Sequence, residues 1–83
     1  MGYHIKAIPK GKFGEFSKIE EEFLEAKDSL DQNNPIMLMM ELSDMIGAIE
    51  AFAKKHNMTL NDLLKMKETT HRAFEDGTRQ AKN

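Results

Sequence analysis

Glu22 and Glu25 recur nineteen positions later as Glu41 and Asp44. On an α-helix, residues three apart lie about 60° from each other, so each acid pair shares one face. The neighbours keep the same offset: Ile19, Phe23, Ala26 and Leu30 align with Leu38, Leu42, Met45 and Ile49. In the second stretch Leu38, Leu42, Met45, Ile49 and Phe52 form one apolar stripe, with Glu41 and Asp44 at its border. Packing the two stripes together would bring four carboxylates to the edge of a hydrophobic core. Carboxylates crowded there cannot all stay ionised without compensation, because desolvation and mutual repulsion both oppose it. They must be protonated, paired with bases, or neutralised by a cation, and few basic residues share the acidic face of these helices. All-oxygen ligation selects a hard cation: Mg²⁺ first, Mn²⁺ as its substitute, with Ca²⁺ also compatible. No Glu-x-x-His pair is present, which argues against a di-iron bundle site. With no cysteine, thiolate zinc sites and disulfides are excluded.

Three helices must position these acids. Pro9, Gly11 and Gly14 mark residues 1–16 as an extended arm or loop. Ser17 stands three before Glu20, a capping-box pattern that opens a first helix at about 18–31. The run Asp31-Gln32-Asn33-Asn34 ends it, and Asn34-Pro35 starts a second helix over about 35–56, closed by His56-Asn57. Thr59 and Asp62 cap a third at about 60–76, and Asp76-Gly77 stops it ahead of a polar tail. The helical domain thus covers residues 17–80, with 81–83 as the end of the tail. No strand pattern competes, and the expected class is all-α.

The residues Glu21-Glu22-Phe23-Leu24-Glu25 and, after a gap of fifteen, Glu41-Leu42-Ser43-Asp44 resemble the EExxE…ExxD signature of MazG-type nucleotide pyrophosphohydrolases. The resemblance extends over about residues 16–80, and the short chain is similar to single-domain members found in phages and bacteria. It implies a MazG-like helical bundle with Mg²⁺ held by Glu22, Glu25, Glu41 and Asp44. Glu21, matching the first Glu of the signature, would serve a further metal position or orient water. It also implies hydrolysis of a nucleoside triphosphate, often a deoxynucleotide, between the α and β phosphates to give the monophosphate and pyrophosphate. Glu21 or Glu22 is the candidate to take the proton of the attacking water. Phosphoribosyl-ATP or a signalling nucleotide is the alternative substrate, and a non-catalytic helical interaction module the alternative of another class. Members commonly carry a Lys followed four residues later by Arg in the third helix. Here Lys67 fits, His71 takes the Arg position, and Arg72 follows one step on, so these three are the expected phosphate contacts. A phage-encoded copy would act in the host cytoplasm.

The remaining features bound this reading. Lys10-Gly11-Lys12-Phe13-Gly14 is basic and flexible, reading either as a mobile arm or as a wall of the substrate pocket, with Lys12 reaching phosphate. It lacks P-loop spacing. Lys67 and His71 fall on the third helix's apolar stripe of Leu60, Leu63, Leu64 and Phe74. Phe13, Phe16, Tyr3 and Phe52 are candidates to stack on a base, and the methionines are fillers of core and interface. Ser17, Ser29 and Ser43 lack a base partner, so covalent catalysis is not expected. A net charge of −2 gives no general pull toward nucleic acid. The longest apolar run, Ile36-Met37-Leu38-Met39-Met40, is far shorter than the roughly 20 residues that span a bilayer. Without a signal-peptide pattern, a soluble cytoplasmic protein is expected. Eighty-three residues bury a modest core. The expectation is therefore a homodimer or homotetramer in which several copies complete a four-helix-type bundle.

Overall fold

The structure is a computed structural model that describes residues 4–75, with side chains through His71. Tyr3, the Asp76-Gly77 stop and the tail lie outside the described residues, as do the side chains of Arg72 and Phe74. The described chain is all-helical: α1 (Phe16–Asp31), α2 (Pro35–Lys55) and α3 (Leu60–Glu75), with no strand among the described residues. Among the described residues, no helix is long and apolar enough to cross a membrane.

Two of the three helix starts follow the expected chemistry. Asn34 Oδ1 accepts the Met37 N–H at 3.1 Å, with Pro35 at the first helical position. Thr59 and Asp62 form a reciprocal box: Thr59 N–H donates to Asp62 Oδ2 at 2.8 Å and Asp62 N–H donates to Thr59 Oγ at 3.0 Å. The Ser17 box does not form. The helix begins two residues earlier, at Phe16, and its N-cap Glu15 makes no side-chain cap bond. Ser17 Oγ instead accepts the Lys12 N–H at 3.0 Å, because the preceding loop folds back over the first turn. Gly14, at φ 88°, lets Glu15 N–H reach Lys12 O at 2.9 Å and closes that loop.

Both α1 and α2 end on an asparagine in the left-handed region, Asn33 at φ 55° and Asn57 at φ 61°. Each ending ties off orphan carbonyls in the same way. Asn33 N–H donates to Leu30 O and Asn34 N–H to Ser29 O; Asn57 N–H donates to Lys54 O and Met58 N–H to Ala53 O. The short link after Asp31 forces α1 and α2 into an antiparallel hairpin. Phe16 at the start of α1 meets Phe52 near the end of α2 edge-on, ring centroids 5.5 Å apart. The α1–α2 hairpin carries most of the tertiary packing, and α3 touches α2 only slightly.

The core departs from expectation. Between α1 and α2 the buried apolar side chains are small or flexible, Ala26, Met37, Ala48 and Ala53, and polar groups share that seam: Glu21, Glu22, Asp28, Ser29 and Glu41. Of the large members of the expected stripes, Ile19, Leu38, Met45, Ile49 and Phe52 are half-buried, and three stand exposed. Phe23 is 54 % and Leu30 59 % exposed, and Leu42 is also exposed, as is Ile46 outside the expected stripe. A two-helix hairpin has only one shared seam, and here the acids occupy it. The apolar stripes stand beside it, on α1 at Phe16, Phe23 and Leu30 and on α2 at Leu42 and Ile46. Helical phase places both stripes on the same side of the antiparallel pair.

Candidate metal centre

The structure gathers the four repeated acids and adds two more. Helix α1 presents Glu21, Glu25 and Asp28 at spacings of four and three, with Glu22 beside them; α2 brings Glu41 and Asp44 across the seam. Carboxylate oxygens of Glu22, Glu41 and Asp44 lie within 4.8 Å of one another, and so do those of Glu21, Glu22 and Glu25. Asp44 stands exposed at the rim, and Glu25 is half-buried.

Two basic groups that the sequence reading passed over reach into this cluster. Lys18 Nζ donates to Glu21 Oε1 at 3.0 Å and lies 3.1 Å from Glu22 Oε2. Glu21 Oε1 also accepts the Gly11 N–H at 2.8 Å, so the arm's backbone is pinned to the site. A Cβ on Gly11 would run into the Ser17 carbonyl and Lys18 Cα, which explains glycine at that approach. His4 stands between helices, its Nδ1 2.9 Å from Asp28 Oδ2 and its Nε2 3.1 Å from Glu41 Oε2. Asp28 Oδ2 further accepts Ile5 N–H at 3.1 Å and Gln32 Nε2–H at 2.8 Å.

Charge counting shows the cluster is under-compensated. Six carboxylates, Glu21, Glu22, Glu25, Asp28, Glu41 and the exposed Asp44, face two cationic side chains, Lys18 and His4. Two oxygens, Glu22 Oε1 and Glu41 Oε1, are buried with no hydrogen-bond partner. A buried carboxylate oxygen without a partner carries a desolvation penalty of about 1–3 kcal/mol or more. A divalent cation would supply the missing charge and take up both oxygens, so the residues present fit a hard metal ion.

The protons respond to the same crowding. Burial pushes the Glu25 carboxyl up to about 7, helped by the hydrogen bond it shares with Glu41 and by the charges of Glu22 and Glu41. Burial acts to lower the His4 imidazole, but its bonds to Asp28 and Glu41 and the nearby charges outweigh it, and the net shift is upward. Burial opposes ionisation of Glu21 and Asp28 too. Gly11 N–H and Lys18 overcome it at Glu21, and His4, Gln32 and Ile5 N–H overcome it at Asp28, so both end below their usual values.

A pH prediction follows for the metal-free chain. His4 and Glu25 bind protons more tightly folded than unfolded: the Glu25 contribution is complete below its ordinary 4.5 and is lost as pH rises to about 7, and that of His4 is complete below 6.5 and is lost above it. Glu21 and Asp28 contribute above their unfolded values of 4.5 and 3.8, and that contribution fades as pH falls below them. Thermal melts in chelator should therefore show maximal stability near pH 4.5, where the Glu21 and Asp28 contributions are complete and the Glu25 loss begins, and a decline toward pH 8. A stability that climbs steadily to pH 8 would contradict this balance.

A cleft of about 540 Å³ opens beside the cluster, lined by Glu21, Glu25, Glu41, Asp44 and His4 together with Lys6, Lys10 and an apolar wall that includes Ile8, Ile36 and Met40. Lys10 thus belongs to the cleft wall, the second of the two readings left open for the basic glycine-rich segment. Lys12 points to solvent, 3.9 Å from Glu15. Lys67 and His71 are exposed on α3, and neither lines the cleft. Arg72 lies in α3, its side chain outside the described residues. Phe16 and Phe52 face each other, and Phe13 borders a separate shallow depression with Gly14, Gly47 and Lys54.

Lys18 was legible from spacing alone, standing three and four residues before Glu21 and Glu22. Asp28 continues the Glu21–Glu25 face. His4 has no local signal, since 24 and 37 residues separate it from its partners. Set against known proteins, the chain matches no protein-family model, no curated protein and no solved structure, and the cluster is read from its own chemistry.

Proposed function

We propose that the chain is a MazG-like, Mg²⁺-dependent pyrophosphohydrolase that cleaves a (deoxy)nucleoside triphosphate between its α and β phosphates. The observation that carries this reading is the pair of unpartnered buried oxygens, Glu22 Oε1 and Glu41 Oε1, on facing helices inside an under-compensated acid cluster. Glu22, Glu25, Glu41 and Asp44 would hold the metal, for which Mn²⁺ is the substitute. Bound there, a divalent ion supplies charge to offset the developing phosphate charge and lowers the pKa of water. Glu21 stays ionised beside Lys18 and Gly11 N–H, placed to accept a proton from water at the edge of the cluster. Lys6 and Lys10 stand on the cleft wall, within the same opening as the acids, and are suited to phosphate oxygens. Ile8, Ile36 and Met40 offer an apolar surface for the base. Lys12, Lys67 and His71 do not line that wall.

The exposed stripes of α1 and α2 support a neighbouring copy. A second hairpin laid against Phe16, Phe23, Leu30, Leu42 and Ile46 would complete a four-helix core in a homodimer or a homotetramer. A soluble, cytoplasmic setting suits an enzyme that draws on nucleotides.

Incubation of the pure chain with Mg²⁺ and a panel of nucleotides, including phosphoribosyl-ATP and signalling nucleotides, tests the reaction. Monophosphate and pyrophosphate in equal amounts are expected from at least one triphosphate. Orthophosphate as the product, or no turnover of any compound, would reject it, and no turnover joined to no metal-dependent rise in Tm would favour a non-catalytic module.

A further inference from the structure

We infer that His4 is a metal ligand of this site, making it a mixed imidazole–carboxylate centre that binds Mn²⁺ or Co²⁺ more tightly than Mg²⁺. The inference rests on the proposed metal site and adds a ligand from outside the four acids. The arrangement begins at Asp28. Its Oδ2 already accepts Ile5 N–H and Gln32 Nε2–H, so it approaches His4 as an acceptor, and Nδ1 carries the proton between them. That bond fixes the ring and turns Nε2 to the other side. There Nε2 meets acceptors only: Glu41 Oε2 at 3.1 Å and Glu25 Oε1 at 3.9 Å.

A ring nitrogen aimed at two carboxylates, with a carboxylate bonded behind it, is the arrangement by which proteins orient a metal-binding histidine. Ligand atoms of His4, Glu25 and Glu41 all lie within 4.8 Å of one another, close to the roughly 3–4.2 Å between oxygens or nitrogens around one ion. Glu41, whose side chain is 9 % exposed, keeps Oε1 unpartnered in the same place. Mg²⁺ prefers oxygen and its own water, whereas Mn²⁺ and Co²⁺ accept imidazole readily. The nitrogen therefore changes which metal the site prefers.

Titration calorimetry of Mg²⁺, Mn²⁺ and Co²⁺ into the full chain, paired with spin-echo detection of nitrogen coupled to bound Mn²⁺, tests this. The unaltered chain should show imidazole nitrogen coupling. His4→Ala and His4→Gln should remove it and weaken Mn²⁺ and Co²⁺ by about 10–100-fold, with Mg²⁺ changed less than about 3-fold. Asp28→Asn should weaken the same two metals by a smaller factor. Mn²⁺ bound without nitrogen coupling, yet weakened by Glu41→Gln, leaves the carboxylate site standing and overturns the role of His4. Tighter binding of every metal to His4→Ala also overturns it, since His4 would then be a cation competing for the site. Failure of all three metals to bind the unaltered chain overturns both readings.

Discussion

Glu41→Gln is expected to lower nucleotide hydrolysis at least about 100-fold while leaving the metal-free chain as stable as before, or more so. The two effects have one origin. Glu41 is 7 % exposed, one of its oxygens has no partner, and its charge is among the causes that push Glu25 up to about 7. An amide of the same shape removes a negative charge from a cluster that has too many. It can donate to Glu25 and keep a hydrogen bond to His4, so the metal-free seam loses little. The same change removes a metal ligand on the α2 side of the seam. Addition of Mg²⁺ should then no longer raise Tm by the several degrees expected of the unaltered chain. Asp44→Asn is the companion test. Because Asp44 is exposed, the amide should alter metal-free stability by no more than about 0.5 kcal/mol, yet activity should fall comparably. Steady-state kinetics beside melts with and without metal separate the outcomes. Full rate in either variant removes that residue from the site, and a large loss of metal-free stability in Glu41→Gln would make Glu41 structural.

How much of this was legible beforehand depends on the range of the interaction. Helix starts at Asn34-Pro35 and Thr59–Asp62 were readable because the capping side chain and the backbone N–H that donates to it lie within three residues. Ser17 misled for the same local reason: its hydroxyl bonds the folded-back Lys12, which residue spacing does not reveal. The meeting of Glu22 and Glu25 with Glu41 and Asp44 was legible because both helices repeat one phase. That repeat also hid part of the site. Nineteen residues on from Lys18 and Asp28 stand Met37 and Gly47, so a search for matched pairs discards both, whereas Glu21, opposite Met40, entered only through the EExxE resemblance. The claim that few bases share the acidic face passes over Lys18 and His4, so pairing with bases supplies part of the neutralisation. What survives is the shortfall of positive charge. The expected apolar stripes split in the structure, with Ala26 in the seam and Phe23, Leu30 and Leu42 exposed, because one hairpin has a single inner seam and the acids share it.

Lys18→Met supplies the sharpest test of that shortfall. It is expected to cost the metal-free chain about 2–3 kcal/mol, with metal restoring most of the loss. Removing one partner of a buried ion pair costs about 3–5 kcal/mol, and the lower figure applies because Lys18 keeps 26 % of its side chain in water. For a domain of this size that is a fall in Tm of roughly 10–20 °C. The loss should concentrate on Glu22. Glu21 retains Gly11 N–H at 2.8 Å, whereas Glu22 Oε2 gives up its Lys18 contact and Oε1 already has no partner. Mg²⁺ at about 100 times its Kd contributes about 2.7 kcal/mol, close to the deficit. The metal-induced rise in Tm should exceed that of the unaltered chain, because Lys18 no longer competes with the ion for Glu22. Lys18→Arg, which keeps the charge, should behave nearly as the unaltered chain. An equal metal-induced rise in both chains would show that Lys18 and the metal do not share Glu22. Unchanged metal-free stability would show that the pair is worth as little as an exposed one. The expected pattern gives Lys18 a specific place in the design. It lets the hairpin close over its acids before metal arrives, and leaves enough negative charge uncompensated for the metal to bind.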